Sequence, residues 1–261
     1  MSLNVPTMAE LAARGETAEV LFWVGCAGSF DERAKKVTKA VAKLLHHAGV
    51  SFAVLGAEES CTGDPARRAG NEFLFQMQAL QNIEILNGYS VQKIVAACPH
   101  CFNTLKNEYP QLGGTYEVFH HSQFIEQLLR DGRLRVEGGS FKGKRIVFHD
   151  PCYLGRANGE YEAPRTLLAQ LDAEIHEMKR SKKNGLCCGA GGAQIFKEPE
   201  AGNAEIHHVR AEEALATGAD IIAVGCPFCK LMLTDGVTHH GKEGQVQVLD
   251  IAEAIATAND L

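Results

Sequence analysis

Nine cysteines recur in register across the two halves of this 261-residue chain, and that repeat limits the possible folds more than any other feature. Cys26, Cys61, Cys98 and Cys101 are followed by Cys152, Cys188, Cys226 and Cys229, at offsets of 126, 127, 128 and 128 residues, with Cys187 as the ninth. The flanking residues repeat too. Val20-Leu21-Phe22-Trp23-Val24-Gly25-Cys26 matches Ile146-Val147-Phe148-His149-Asp150-Pro151-Cys152, an apolar run that delivers a cysteine. Lys93-Ile94-Val95-Ala96-Ala97-Cys98-Pro99-His100-Cys101 matches Ile221-Ile222-Ala223-Val224-Gly225-Cys226-Pro227-Phe228-Cys229. Scattered core thiols would not hold such a register, and an odd number cannot be fully paired in disulfides.

The repeat implies two copies of one folding unit. The apolar runs 20–24, 52–55, 93–97, 146–148 and 221–224 predict strands buried on both faces, as in a parallel sheet. Between them lie amphipathic helices. Ala34, Val37, Val41, Leu44 and Ala48 share one face, with Lys35, Lys36, Lys39 and Lys43 on others; 71–87, 162–171 and 205–216 behave alike. Each half closes with a strand and a capped helix: Asp250 and Glu253 predict a capping box, and Ser122 stands at the matching place. The expected fold is α/β, two tandem, pseudo-symmetric Rossmann-like halves with parallel sheets and metal sites at the strand C-terminal ends. The Gly- and charge-rich stretch 131–144 is the seam. It gives an N-terminal extension over 1–19, a first cysteine-rich domain over 20–140 and a second over 141–261.

Composition narrows the function classes. A net charge of −6 offers no basic footprint for nucleic acid. The longest apolar runs are far too short for a transmembrane segment, and a start carrying Glu10 and Glu16 is no secretory signal. A cytoplasmic location is therefore expected, where clustered cysteines are metal ligands or redox groups more often than disulfides.

The cysteine positions suit metal. Both Cys-Pro-x-Cys units put proline where a helix begins, so their cysteines face unpaired N–H groups and the positive end of a helix dipole, which favours thiolate. In Leu186-Cys187-Cys188-Gly189-Ala190-Gly191-Gly192 two adjacent cysteines lead into a glycine-rich loop whose N–H groups can reach sulfur. Cys152, Cys187, Cys188, Cys226 and Cys229 make five thiolates. Zinc takes four and a [4Fe-4S] cubane has four corners, so the fifth is a spare, a redox-active thiol, or a ligand bridging irons in an unusual cluster. The first half has Ser60-Cys61-Thr62-Gly63 instead, which aligns Ser60 with Cys187 and leaves Cys26, Cys61, Cys98 and Cys101. Four thiolates satisfy a [4Fe-4S] cluster or a structural zinc.

Cys, then CCG, then Cys-x-x-Cys, present twice, resembles the cysteine-rich (CCG) domains of heterodisulfide reductases and of the iron–sulfur subunits of lactate, glycolate and glycerol-3-phosphate oxidation. The resemblance runs from about Val20 to Leu261. It implies a non-cubane [4Fe-4S] cluster, or an ordinary one, on Cys152, Cys187, Cys188, Cys226 and Cys229, with zinc an alternative in the first half. It also implies an iron–sulfur oxidoreductase subunit that passes electrons to a disulfide or a quinone-linked acceptor, the five-cysteine site being the best candidate for the chemistry. The chain has neither a close Cys-x-x-Cys-x-x-Cys ferredoxin run nor a Gly-x-Gly-x-x-Gly dinucleotide loop. A ferredoxin-domain subunit or a flavoprotein is then the expected partner, with a membrane-bound partner able to hold the chain at the inner membrane. The hydrophilic start Met1 to Glu16 reads as the remnant of a junction to another module. The competing classes are a zinc-containing scaffold subunit and a thioredoxin-like use of Cys98-Pro99-His100-Cys101, which leaves seven thiols unexplained.

Other residues near the cysteines carry weaker expectations. His149 and His100 are expected to pack beside a site rather than ligate it. His120-His121 and His207-His208 are expected at surface or helix positions. Arg67, Arg68, Arg156 and Lys197 lie near cysteine loops and could offset thiolate charge, bind an anion, or simply be solvated.

Overall fold

A computed structural model describes residues 3–198 and 201–261, so Met1 and Ser2 of the N-terminal extension lie outside the described residues. The chain divides into two units, Met1–Arg135 and Val136–Leu261. In the first, strands β1 (Val20–Trp23), β2 (Phe52–Ala53), β3 (Lys93–Ala96) and β4 (Glu117–His120) form a parallel sheet in the order β2-β1-β3-β4. The second repeats it with β5 (Arg145–Phe148), β6 (Glu174–His176), β7 (Ile221–Val224) and β8 (Gln247–Asp250) in the order β6-β5-β7-β8.

The sequence pattern explains the layers. All four residues of β1 and all four of β7 are buried, because helices cover both faces of a parallel sheet. Helix Glu32–His47 starts at Asp31, whose carboxylate accepts the Arg33 and Ala34 N–H groups, and it buries Ala34, Val37, Val41 and Leu44, the face read from their spacing. Helix Glu72–Gly88 buries Phe75, Ala79, Ile83 and Leu86. In each sheet the chain turns outward on opposite sides of one strand pair, β1/β3 and β5/β7. The carboxyl ends of such a pair open a crevice in doubly wound folds. No helix among the described residues is long and apolar enough to cross a membrane.

Three details depart from expectation. Residues 7–13 are tied to the first sheet: Val54 N–H donates to the Pro6 carbonyl, Met8 N–H to the Val54 carbonyl, and helix Met8–Ala13 follows with a capping box between Thr7 and Glu10. The strand expected over 52–55 ends at Ala53, since Val54 pairs with this N-terminal segment instead. Helix His121–Arg130 is capped by His120, not Ser122. His120 Nδ1 accepts the Ser122 N–H while Gln123 reaches back to the His120 N–H, so an imidazole takes the place of the usual hydroxyl or carboxylate.

Candidate metal centres

Each unit gathers its cysteines at the strand ends from three loops. Cys26 lies on the first turn of helix Gly25–Phe30 after β1, and Cys98 is the N-cap of helix Pro99–Asn103 after β3, with Cys101 one turn on. Cys61 comes from the loop beyond β2. In the second unit Cys152 follows β5, Cys226 caps helix Pro227–His239 after β7, and Cys187-Cys188 come from the loop beyond β6. All nine thiols are free; Cys98, Cys101, Cys188, Cys226 and Cys229 are buried and the other four half-buried.

The sulfurs of each unit interact with one another. In the first, the Cys61–Cys26 hydrogen bond and burial push the Cys26 thiol up, while the same bond holds Cys61 down at about 7. Cys101 is pushed up by its bond to Cys98 and by burial, and it senses the charge of Cys26 and Cys61. In the second unit the bonds run in a continuous chain, from Cys152 to Cys187, Cys187 to Cys188, Cys188 to Cys229 and Cys229 to Cys226. The Cys229 and Cys188 sulfurs are 3.4 Å apart. Bonds from Cys152 and Cys188 hold Cys187 far below the ordinary thiol range, whereas its bond to Cys187 pushes Cys188 up to about 12. Buried thiols stacked this closely are costly to ionise together unless a cation shares them, and a multi-iron cluster or zinc meets that requirement. The donor sets therefore fit the groups that the sequence implies.

The backbone fixes a register that the cysteine spacing alone misplaces. Gly63 N–H donates to Cys61 Sγ at 3.5 Å, and Gly189 N–H donates to Cys187 Sγ at 3.3 Å. Both glycines take left-handed backbone, φ 87° and 92°, which glycine adopts without strain. Cys61 is thus the counterpart of Cys187, and each is a thiol held below its ordinary range. The counterpart of Cys188 is Thr62. Its hydroxyl is buried and lies 3.9 Å from Cys101 Sγ, as Cys188 Sγ lies against Cys229. Ser60, expected to replace the missing thiol, instead donates to Asn82 Oδ1 at 2.9 Å.

Side chains around the two sets differ in charge. Arg210, fully buried on helix Ile206–Leu215, donates Nε–H to His149 Nδ1 at 3.0 Å. Burial and the adjacent Arg210 charge hold His149 down at about 3, so it is neutral. With Nδ1 accepting, its proton sits on Nε2. His149 lies with Cys188 and Cys229 in one group of donor atoms mutually within 4.8 Å. Arg210 Nη2 is buried without a hydrogen-bond partner among the described residues, a positive charge left partly unmatched beside five thiols. At the first set, His100 Nδ1 is 2.9 Å from Asp64. Burial alone would lower this imidazole, but the Asp64 and Cys98 charges raise it.

The arginines singled out by sequence are neither solvated nor free. Arg67 pairs with Glu108 at 3.0 Å and lies over the Phe75 ring, and Arg68 pairs with Asp64 and Glu108. Arg156 donates to the Gly185 carbonyl at 2.6 Å, while Lys197 is exposed. His120 and His121, expected near the surface, are fully buried, and His207 is buried as well. Sequence reasoning missed Arg210 and Glu59. Glu59 accepts the Val24 and Gly25 N–H groups at 3.0 and 2.5 Å, and burial pushes its carboxyl up to about 7 against those bonds. A lone arginine in a polar helix and a glutamate two residues before a cysteine carry no signal of burial.

Comparison with known proteins agrees with this arrangement. A cysteine-rich domain of the CCG type matches residues 20–106 and 146–234. The chain is 45% identical over 254 residues to FadF of Bacillus subtilis (strain 168), described as a probable iron-sulfur-binding oxidoreductase, covering 97% of this chain and 36% of that protein. It is 42% identical to an EtfAB:quinone oxidoreductase of Syntrophomonas wolfei, with 92% and 34% covered. Against one of the subunits of the dihydromethanophenazine:CoB–CoM heterodisulfide reductase of Methanosarcina barkeri the identity is 34%, with 93% and 59% covered. The chain spans little more than a third of the length of the first two relatives.

Proposed function

This chain belongs to the CCG cysteine-rich domain family, and from that premise we propose that it is an iron–sulfur oxidoreductase subunit working toward a disulfide or a quinone-linked acceptor. The observation that carries the proposal is the continuous chain of five interacting thiols in the second unit beside the buried Arg210–His149 pair. Cys152, Cys187, Cys188, Cys226 and Cys229 would hold a [4Fe-4S] cluster, non-cubane if all five ligate. Cys26, Cys61, Cys98 and Cys101 would hold an ordinary [4Fe-4S] cluster, zinc being the second reading because four thiolates satisfy either. A bound cluster supplies one-electron transfer. The protein's own part is electrostatic. Arg210 offsets the charge of the extra thiolate, neutral His149 keeps a donor on Nε2, and the Gly189 N–H stabilises Cys187 as thiolate.

The five-cysteine site is the proposed place for a reacting disulfide, since a bridging or displaceable sulfur leaves an iron that another sulfur can approach. Without a flavin, nicotinamide or ferredoxin signature, the chain depends on a ferredoxin-domain subunit or flavoprotein for electrons, and on a membrane-bound partner for any place at the membrane. The test is anaerobic preparation followed by iron, zinc and acid-labile sulfide analysis. Iron and sulfide in both units support the proposal, and zinc in the first unit alone selects the second reading there. Zinc in both units without sulfide makes the chain a scaffold subunit and sinks the oxidoreductase. The isolated chain should show no NAD(P)H oxidation, and turnover without added flavoprotein would remove the dependence on a partner.

A further inference from the structure

A second cluster of donor groups lies in the second unit and contains no cysteine. Helices Ile206–Leu215 and Pro227–His239 pack closely at Gly236, where an added Cβ would stand 2.6 Å from Ala211 Cβ and 2.8 Å from the His207 carbonyl oxygen. That close approach sets His207 and His208 against His239 and His240. The rings of His207 and His208 are 4.2 Å apart, and His208 stacks on His239 at 3.6 Å with planes 9° from parallel. His240 Nε2 lies 2.9 Å from the His208 carbonyl oxygen. Glu205 closes the group, 3.3 Å from His207 Nδ1. One donor atom each from Glu205, His207 and His208 lies within 4.8 Å of the other two.

Four imidazoles packed this closely repel one another when protonated. Burial, His207 and His239 all push the His208 imidazole below its ordinary range, with Glu205 opposing, so the ring is neutral and keeps a lone pair. We propose that Glu205, His207 and His208 bind a first-row transition dication, zinc in the first instance, and that His239 holds the His208 ring in place by stacking. Two imidazoles and a carboxylate suit such ions, and three protein donors leave one position open. In a tetrahedral shell with bonds of about 2.0–2.1 Å, neighbouring donors lie about 3.3 Å apart, and Glu205 and His207 stand at 3.3 Å. Glu205 and His207 also border a cavity of about 610 Å³ whose wall includes Gly189, Met232 and Asp235. A small anionic ligand in that cavity could take the open position, next to the loop that carries Cys187 and Cys188.

This proposal does not rest on the iron–sulfur function, and the two fail separately. The experiment uses the full chain, its cysteines first filled with iron and sulfide under anaerobic conditions, and then zinc alone. One further equivalent of zinc is expected. Its X-ray absorption fine structure should show nitrogen and oxygen at about 2.0–2.1 Å and no sulfur at about 2.3 Å. Glu205→Ala and His208→Gln, both at incompletely buried positions, should each weaken that zinc about 10-fold or more, with unchanged far-UV circular dichroism. If iron does not load, zinc will enter the cysteines and show sulfur neighbours, yet the nitrogen–oxygen shell still reports the histidine site. Zinc with only sulfur neighbours in the wild type, or undiminished binding in both variants, overturns the proposal.

Discussion

The two units share a sheet order and a set of crossovers, yet they secure their cysteine loops with opposite charge. In the first, an acid bridges the loops: Glu59, two residues before Cys61, accepts the N–H groups of Val24 and Gly25 just before Cys26. In the second, a base does so: Arg156, four residues after Cys152, donates to the carbonyl of Gly185, two residues before Cys187. Asp150 adds a second tie through the Lys182 N–H at 2.7 Å and is itself held by Arg165 at 2.8 Å. The fold decides where sulfur stands, and the surrounding side chains decide how much negative charge it can bear. A carboxylate beside four thiols and a buried guanidinium beside five are consistent with sites of different net charge.

The contrast breaks most completely at Cys188. Cys188→Ala should remove most of the second unit's iron while the first unit's metal stays, as read by metal analysis and visible absorption. Equal loss from both units would show that the sites are not separate. Next comes the register. Thr62→Cys should give the first unit a fifth thiol beside Cys101 and shift its low-temperature EPR signal toward that of the second unit, whereas Ser60→Cys should leave it unchanged. The reverse result would restore the alignment by cysteine spacing.

Arg210→Leu tests the buried charge. Removing one member of a buried, paired set costs about 3–5 kcal/mol, so urea unfolding should show a loss of that order. The midpoint potential of the second unit's cluster should fall while the first unit's stays put, because a positive charge stabilises the reduced form; a purely structural arginine would leave the potential alone. The smallest effect concerns the helix caps. Asp250→Ala should cost about 1 kcal/mol by freeing the Ala252 N–H, as measured by thermal unfolding. His120→Ala should cost more, since that imidazole is also buried against Phe102 and His121.

Much of this contrast was legible in the sequence, and the rest was hidden for physical reasons. The central strands announced themselves because parallel strands buried on both faces read as unbroken apolar runs. β6 did not, since Glu174, Ile175 and His176 are all exposed at a sheet edge and carry no apolar pattern. The Cys-Pro-x-Cys units marked their helix starts correctly, because proline at N1 is a local rule. The identity of the missing thiol was misplaced by one residue. Offsets of 126 and 127 are equally plausible from spacing, and only the Gly63 and Gly189 N–H bonds choose between them. Arg210 and the His120–His121 pair were unreadable because burial of a charged or polar side chain depends on what packs over it, not on its own neighbours in the chain.

The sulfur-bearing loops rest on a framework that does not need them for its core. Ile222, Val224, Leu233 and Val237 form the packed interior of the second unit, and Cys188, Cys226 and Cys229 line its margin. A small zinc finger is different, because there the metal takes the place of a core and the apoprotein is unfolded. Here the order of events is the opposite: the chain folds first, and inorganic iron and sulfide are installed late, into a cradle already shaped by strand ends and helix starts. Losing the metal should silence this protein without unfolding it, so a cell could strip and refill the same polypeptide many times.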